Sequence, residues 1–156
     1  MEELRVPKRR VPAEVVLPGG AERRVVLFLA EAAADHSGAE QPGDLLNGPG
    51  DFFPALDELA GAMTFLHRGA VAVVRVARTL EADCAEALTL PTEHEVEVHL
   101  ADGSCRTGLV SYLRPPDRAR LVDFLNEAPP FFRLLEADAV ALVNKRHVTR
   151  VVLLSR

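Results

Sequence analysis

Hydrophobic and polar positions alternate most clearly near the middle of the chain, where Val96, Val98 and Leu100 are interleaved with Glu95, Glu97 and His99. A period of two marks a half-buried strand with one face in water. Ala101-Asp102-Gly103-Ser104 follows and predicts a hairpin turn, with Gly103 free to take a positive φ. The return strand is expected from about Cys105 to Leu113, and a similar one from Arg23 to Ala30. In the latter, Val25-Val26-Leu27-Phe28-Leu29 is apolar at successive positions, which predicts burial on both faces. Polar loops come next, through Asp35-His36-Ser37-Gly38 in one place and Arg114-Pro115-Pro116-Asp117 in the other. Asp117 is suited to N-cap a short helix running to Asn126, because Leu121, Phe124 and Leu125 fall on one helical face. A matching turn of helix is expected to end at Asn47-Gly48, with Gly48 as its cap. Phe131 to Leu135, Ala139 to Val143 and His147 to Leu154 read as further strands.

These elements are written twice. Leu4-Arg5-Val6-Pro7 corresponds to Leu88-Thr89-Leu90-Pro91, and the strand and turn from Ala13 to Gly20 to those from Val96 to Gly103. Gly43-Asp44-Leu45-Leu46-Asn47 corresponds to Val122-Asp123-Phe124-Leu125-Asn126, Phe52-Phe53 to Phe131-Phe132, and Phe65 to Val71 to Leu142 to Val148. The offset falls from 84 to 83, 79 and 77 along the chain, as small differences in loop length would produce. The expected organisation is one repeat over residues 3–78, a short helical linker over 79–86, and a second repeat over 87–155. Each repeat would be a small barrel of five strands with a short helix. Units of this size sit close to the margin of stability, so the two are expected to pack together.

Composition narrows the function classes. The chain has 156 residues, a formal charge of −5, 48% hydrophobic and 26% charged residues, which is an ordinary globular balance. Net acidity argues against a surface given over entirely to nucleic acid. No apolar run approaches the roughly 20 residues of a membrane span, and the charged start, Met1 to Arg5, lacks the apolar stretch of a signal peptide, so a cytoplasmic location is expected. The richness in Ala, Arg, Leu and Val suggests a GC-rich bacterial source.

Candidate chemistry is sparse. Cys84 and Cys105 are far apart and read as reduced thiols. His94 and His99 fall on opposite faces of one strand, His67 and His147 near turns, and Glu93, Glu95 and Glu97 on a solvated face, so no metal site and no catalytic residue is expected. No P-loop, G-x-G-x-x-G or G-x-S-x-G pattern is present.

The second repeat resembles the Sm-like family of small bent β-barrels, which assemble into rings and often bind RNA. The resemblance lies in V-x-V-x-L-x-x-G at Val96 to Gly103, Gly108, Asp123-Phe124-Leu125-Asn126 in place of D-x-x-M-N, and Val143 to Val148 in place of the closing I-R-G-x-x-I. The interval from Gly108 to Asp123 is longer than in that family, and Lys145-Arg146 replaces Arg-Gly. The likeness implies a tandem Sm-like or SH3-like barrel. It would place nucleotide or partner contacts at Asp44, Asn47, His67, Arg68, Asp123, Asn126, Asn144, Lys145 and Arg146. Read as residues alone, Asp and Asn beside a short helix are caps or turn formers. A looser resemblance, Arg5 and Arg9 in R-x-x-x-R with Asp35 and Ser37 in D-x-S, is to PilZ domains and would imply cyclic di-GMP, although Glu40 replaces the final glycine of that motif.

Architecture repeats and surface chemistry does not, as Lys8-Arg9-Arg10 against Thr92-Glu93-His94 illustrates. The expected function is therefore a non-catalytic adaptor or assembly module without a cofactor, which binds protein partners or copies of itself through open strand edges. RNA binding through the basic turns is the alternative.

Overall fold

A computed structural model describes residues 8–31, 38–81, 91–113, 120–127 and 129–155. Among these the chain forms ten strands: β1 (Lys8–Val16), β2 (Glu22–Ala30), β3 (Phe52–Asp57), β4 (Ala62–His67), β5 (Val73–Val76), β6 (Thr92–Leu100), β7 (Cys105–Tyr112), β8 (Phe131–Leu135), β9 (Val140–Asn144) and β10 (Val148–Ser155). Two one-turn helices, α1 (Pro42–Leu46) and α2 (Leu121–Leu125), follow β2 and β7, and 3-10 turns at Arg68–Ala70 and Lys145–His147 follow β4 and β9. The order of elements is thus the same in both halves of the chain.

The expectation of two small five-stranded barrels packed together is met only in its mainly-β content. All ten strands belong to one open antiparallel sheet, ordered β10-β6-β7-β8-β9-β5-β1-β2-β3-β4. The halves are continuous because β5 pairs with β1 of its own half and also with β9 of the other. Within each half corresponding residues meet: Val74 faces Val15 and Val151 faces Val98, while Phe52 faces His67 and Phe131 faces Asn144. The drifting offsets of the sequence are preserved in these registers.

Local sequence explains the strand limits. Pro12 stands in β1 beyond the stretch Glu14 to Val16 that β5 pairs, and Pro54 stands in β3 just outside the stretch that β2 pairs, so neither missing N–H interrupts a second ladder. Gly103 takes φ 90° in the β6–β7 turn, as its position predicts. Gly108 is required for a different reason. A Cβ there would lie 2.5 Å from the carbonyl oxygen of Leu135, where β8 crosses close to β7.

Two expectations need correction. In β2 the residues Val25, Leu27 and Leu29 are buried but Val26 and Phe28 only half so, because α1 and the core cluster that these three join lie on one face of β2. Asn47, not Gly48, closes α1, and Gly48 keeps a negative φ while Gly50 takes 90°. Asp117, Cys84 and most of the proposed linker fall outside the described residues; Arg78 to Leu80 form a turn.

The core is divided unequally between the halves. One cluster combines Val11, Val25, Leu27, Leu29, Leu46 and Phe53 of the first half with Phe131, Val140 and Leu142 of the second. The other gathers Val96, Val98, Val110, Leu134 and Val143 around Val16, Ala72 and Val73. No helix among the described residues is long and apolar enough to cross a membrane.

Candidate functional site

The seam between β5 and β9 brings together most of the polar residues singled out in the sequence. Asn47 caps α1 and reaches across to β8, where its Nδ2 donates to the Phe131 carbonyl at 3.2 Å and its Oδ1 accepts from the Phe131 N–H at 2.8 Å. One side chain thus completes both hydrogen bonds of a backbone position, as a neighbouring strand would. Asn144 is 2% exposed. Its Nδ2 donates to the carbonyls of Arg68 and Val71 at 3.1 and 2.9 Å, and its Oδ1 accepts from the Arg146 N–H at 3.0 Å. His147 Nε2 lies 2.7 Å from the Gly69 carbonyl. Arg75 of β5 bridges to Glu136 at 2.9 Å and to Asp138 at 3.2 Å beyond β8.

Two of the cations singled out in the sequence, Arg68 and Lys145, are engaged with backbone. Arg68 donates to four carbonyls, those of Leu45, Pro49, Gly50 and Phe52, and so fastens the loop between α1 and β3. Lys145, at the corresponding place in the second half, donates to the Glu127 carbonyl at 2.7 Å after α2. Burial lowers the pKa of both groups. A guanidinium saturated by carbonyl oxygens has few donors left for phosphate.

The remaining candidates scatter. Asp44 bonds back to the Gln41 N–H in a capping box, Asp123 pairs with Arg120 at 3.1 Å, and His67 Nδ1 accepts from the Gly69 N–H at 3.0 Å. Arg146 is exposed and lies over Gly69, while Asn126 is exposed at the end of α2. His67, Arg68, Asn144 and Arg146 rim a shallow hollow of about 280 Å³, and Asp44, Asn47 and Lys145 line a larger one of about 450 Å³ beside α1. Within the larger hollow, burial raises the pKa of Glu81, which accepts from the Gly43 N–H at 2.6 Å and pairs with Arg133 at 3.2 Å. Arg9 donates to the Glu40 carbonyl, and Glu40 itself accepts from the Ala30 N–H; Arg5, Asp35 and Ser37 lie outside the described residues.

Sequence reading missed the apolar side of the same seam. Phe131, Val140 and Leu142 project from the second half into the first half's core, at 3%, 1% and 1% exposure. Their counterparts at the far edge, Phe52, Met63 and Phe65, are 58%, 49% and 65% exposed. The outer strands are likewise uncovered: β4 pairs with β3 alone and β10 with β6 alone. Leu153 and Leu154 of β10 are exposed, and α2 buries no residue whereas α1 buries Pro42 and Leu46. The signal lay in the matching sequence segments, where Phe52-Phe53 is aligned with Phe131-Phe132, but it became legible only with the strand order.

Comparison of the chain with protein-family models, characterised proteins and solved structures finds no match.

Proposed function

We propose that this chain is a duplicated, non-catalytic assembly module that associates head to tail with copies of itself, the β4 edge of one molecule pairing with the β10 edge of the next. Each half is read as one five-stranded unit, and the internal β5–β9 seam as the template for the contact between molecules. One observation carries the reading: residues that fill the neighbouring core at the seam have exposed apolar counterparts at the free edge.

Carrying the β5–β9 register onto the free edges sets Phe65 opposite Val151 and Met63 opposite Leu153. Asn126 would then clamp the backbone at Phe52 of the next molecule, as Asn47 clamps Phe131. Neither edge carries the usual protection against association. β4 reads Ala62-Met63-Thr64-Phe65-Leu66-His67 without an acidic residue, Lys, Arg or Pro, and β10 has Arg150 alone among aliphatic and hydroxyl residues. Burying the exposed parts of Phe52, Met63 and Phe65 contributes about 2–4 kcal/mol to the contact, taking about half of the full-burial value for each. Because the two edges differ, the interface is heterologous; it closes into a ring if the rotation between molecules allows, and otherwise extends as a filament.

Light scattering on purified, nucleic-acid-free protein tests the reading. Species above 17.0 kDa, discrete for a ring or concentration-dependent for a filament, that fall to the monomer in Phe65→Asp are the expected result. A monomer at high micromolar concentration, or an oligomer indifferent to Phe65→Asp, would overturn it. Single-stranded RNA at low salt is the control: a salt-sensitive complex lost on changing Arg146 would favour the RNA-binding alternative.

A further inference from the structure

Away from the seam, the outer face of the β6–β7 hairpin holds three side chains of metal-ligating type. Glu97 and His99 are two apart on β6 and therefore share a face, and the hairpin returns Cys105 to the position directly opposite His99. His99 Nε2 lies 2.5 Å from Glu97 Oε1, and the three donor atoms, nitrogen, carboxylate oxygen and sulfur, all lie within 4.8 Å of one another. From this geometry we infer that Glu97, His99 and Cys105 form a binding site for a thiophilic divalent cation of the zinc type.

The chemistry of the set supports that choice. Imidazole, thiolate and carboxylate together suit zinc, whereas magnesium and calcium prefer oxygen alone. Ligand atoms about 2.0–2.3 Å from a tetrahedral ion stand roughly 3.3–3.7 Å apart, so the existing cluster needs adjustments on the order of 1 Å. Cys105 is exposed and the other two are half-buried, which leaves a side of the ion open to water or to an external ligand.

The cluster is particular to the second half. At the corresponding positions the first half carries Glu14, Val16 and Glu22, which offer carboxylates but no nitrogen or sulfur. Glu14 is moreover tied to Arg75 of β5 at 3.3 Å. Opposite Glu97 the residue on β10 is Val152 and the carboxylate turns to His99, while the guanidinium of that strand, Arg150, is set opposite His99. The donor set is thus not a by-product of the repeated scaffold.

The test uses the whole chain, stripped with a chelator, kept reduced and titrated with Co²⁺. The expected result is a saturable one-to-one rise of a thiolate-to-cobalt charge-transfer band with strong visible bands of a four-coordinate ion, displaced by Zn²⁺. Cys105→Ser should abolish the charge-transfer band and His99→Ala should weaken binding at least tenfold, while Cys84→Ser leaves both unchanged. Circular dichroism checks that each variant is folded, as expected for substitutions on a solvent-facing hairpin. Failure to saturate at one equivalent, or an unchanged band in Cys105→Ser, would overturn the inference. Cobalt coordination does not depend on the proposed assembly, so the two readings fail separately.

Discussion

Replacing Asn144 with alanine removes the most buried polar link between the halves. Three hydrogen bonds disappear, to the carbonyls of Arg68 and Val71 and from the N–H of Arg146. At about 1 kcal/mol net for each, the loss comes to about 3 kcal/mol, with the two carbonyls left short of a partner at a site only 2% exposed. For a chain of this size that lowers the thermal midpoint by about 6–12 °C. The measurement is urea and thermal unfolding by far-ultraviolet circular dichroism, made on the Phe65→Asp background so that dissociation does not contribute. Because β5 and β9 share one ladder, a single transition with an unchanged urea slope is expected. Asn144→Asp retains the acceptor for Arg146 but sets a carboxylate against two carbonyls, so it should cost at least as much. A loss below about 1 kcal/mol, or two separated transitions in the parent protein, would refute the reasoning that the seam joins the halves into one cooperative unit.

Gly108→Ala forces a methyl group to within 2.5 Å of the Leu135 carbonyl, and chemical unfolding should show a loss of more than about 2 kcal/mol as β7 and β8 separate. Asn126→Ala should leave the stability of the monomer unchanged yet weaken assembly about tenfold, read from the concentration dependence of the mass, because the clamp it supplies exists only between molecules. Burial raises the pKa of Glu81, so the folded state holds that proton more tightly than the unfolded chain, and its contribution is full below the ordinary value of 4.5 and lost as pH rises through the raised value. Glu81→Gln should therefore flatten the fall in stability as pH rises above about 4.5, and an unchanged profile would contradict the assignment.

Much of the strand pattern was legible because its causes are local. Alternation at Val96 to Leu100 and the Gly103 turn define β6 and β7, and the short apolar runs at Phe131 and Ala139 lie within a residue of the limits of β8 and β9. The order of the strands was not legible, since nothing in the period of β5 states that Val73 to Val76 will meet Val143 to Val140. Side-chain partners were not legible for the same reason. The Asn and Arg residues that resemble a nucleotide site meet backbone groups of α1, of β8 and of the loop after α1, whose approach depends on the tertiary fold. Of the two Phe pairs, Phe53, Phe131 and Phe132 are buried and Phe52 is exposed, a difference that the matching sequence segments do not reveal. The Glu97, His99 and Cys105 cluster leaves no trace in histidine spacing, because one of its donors lies on the neighbouring strand. Placing Cys105 across the hairpin from His99 would have exposed it.

Complementation between two edge variants tests the head-to-tail contact most directly. Phe65→Asp disables β4 and leaves β10 intact, whereas Leu153→Asp disables β10 and leaves β4 intact; both side chains are largely exposed, so both variants should fold. Each alone is expected to measure 17.0 kDa by light scattering, since an unpaired carboxylate would be buried in every contact. Mixed in equal amounts, the two should form a one-to-one dimer and nothing larger, because only one competent pair of edges remains. Persistence of monomers in the mixture, or oligomers of either variant alone, would contradict pairing of β4 with β10.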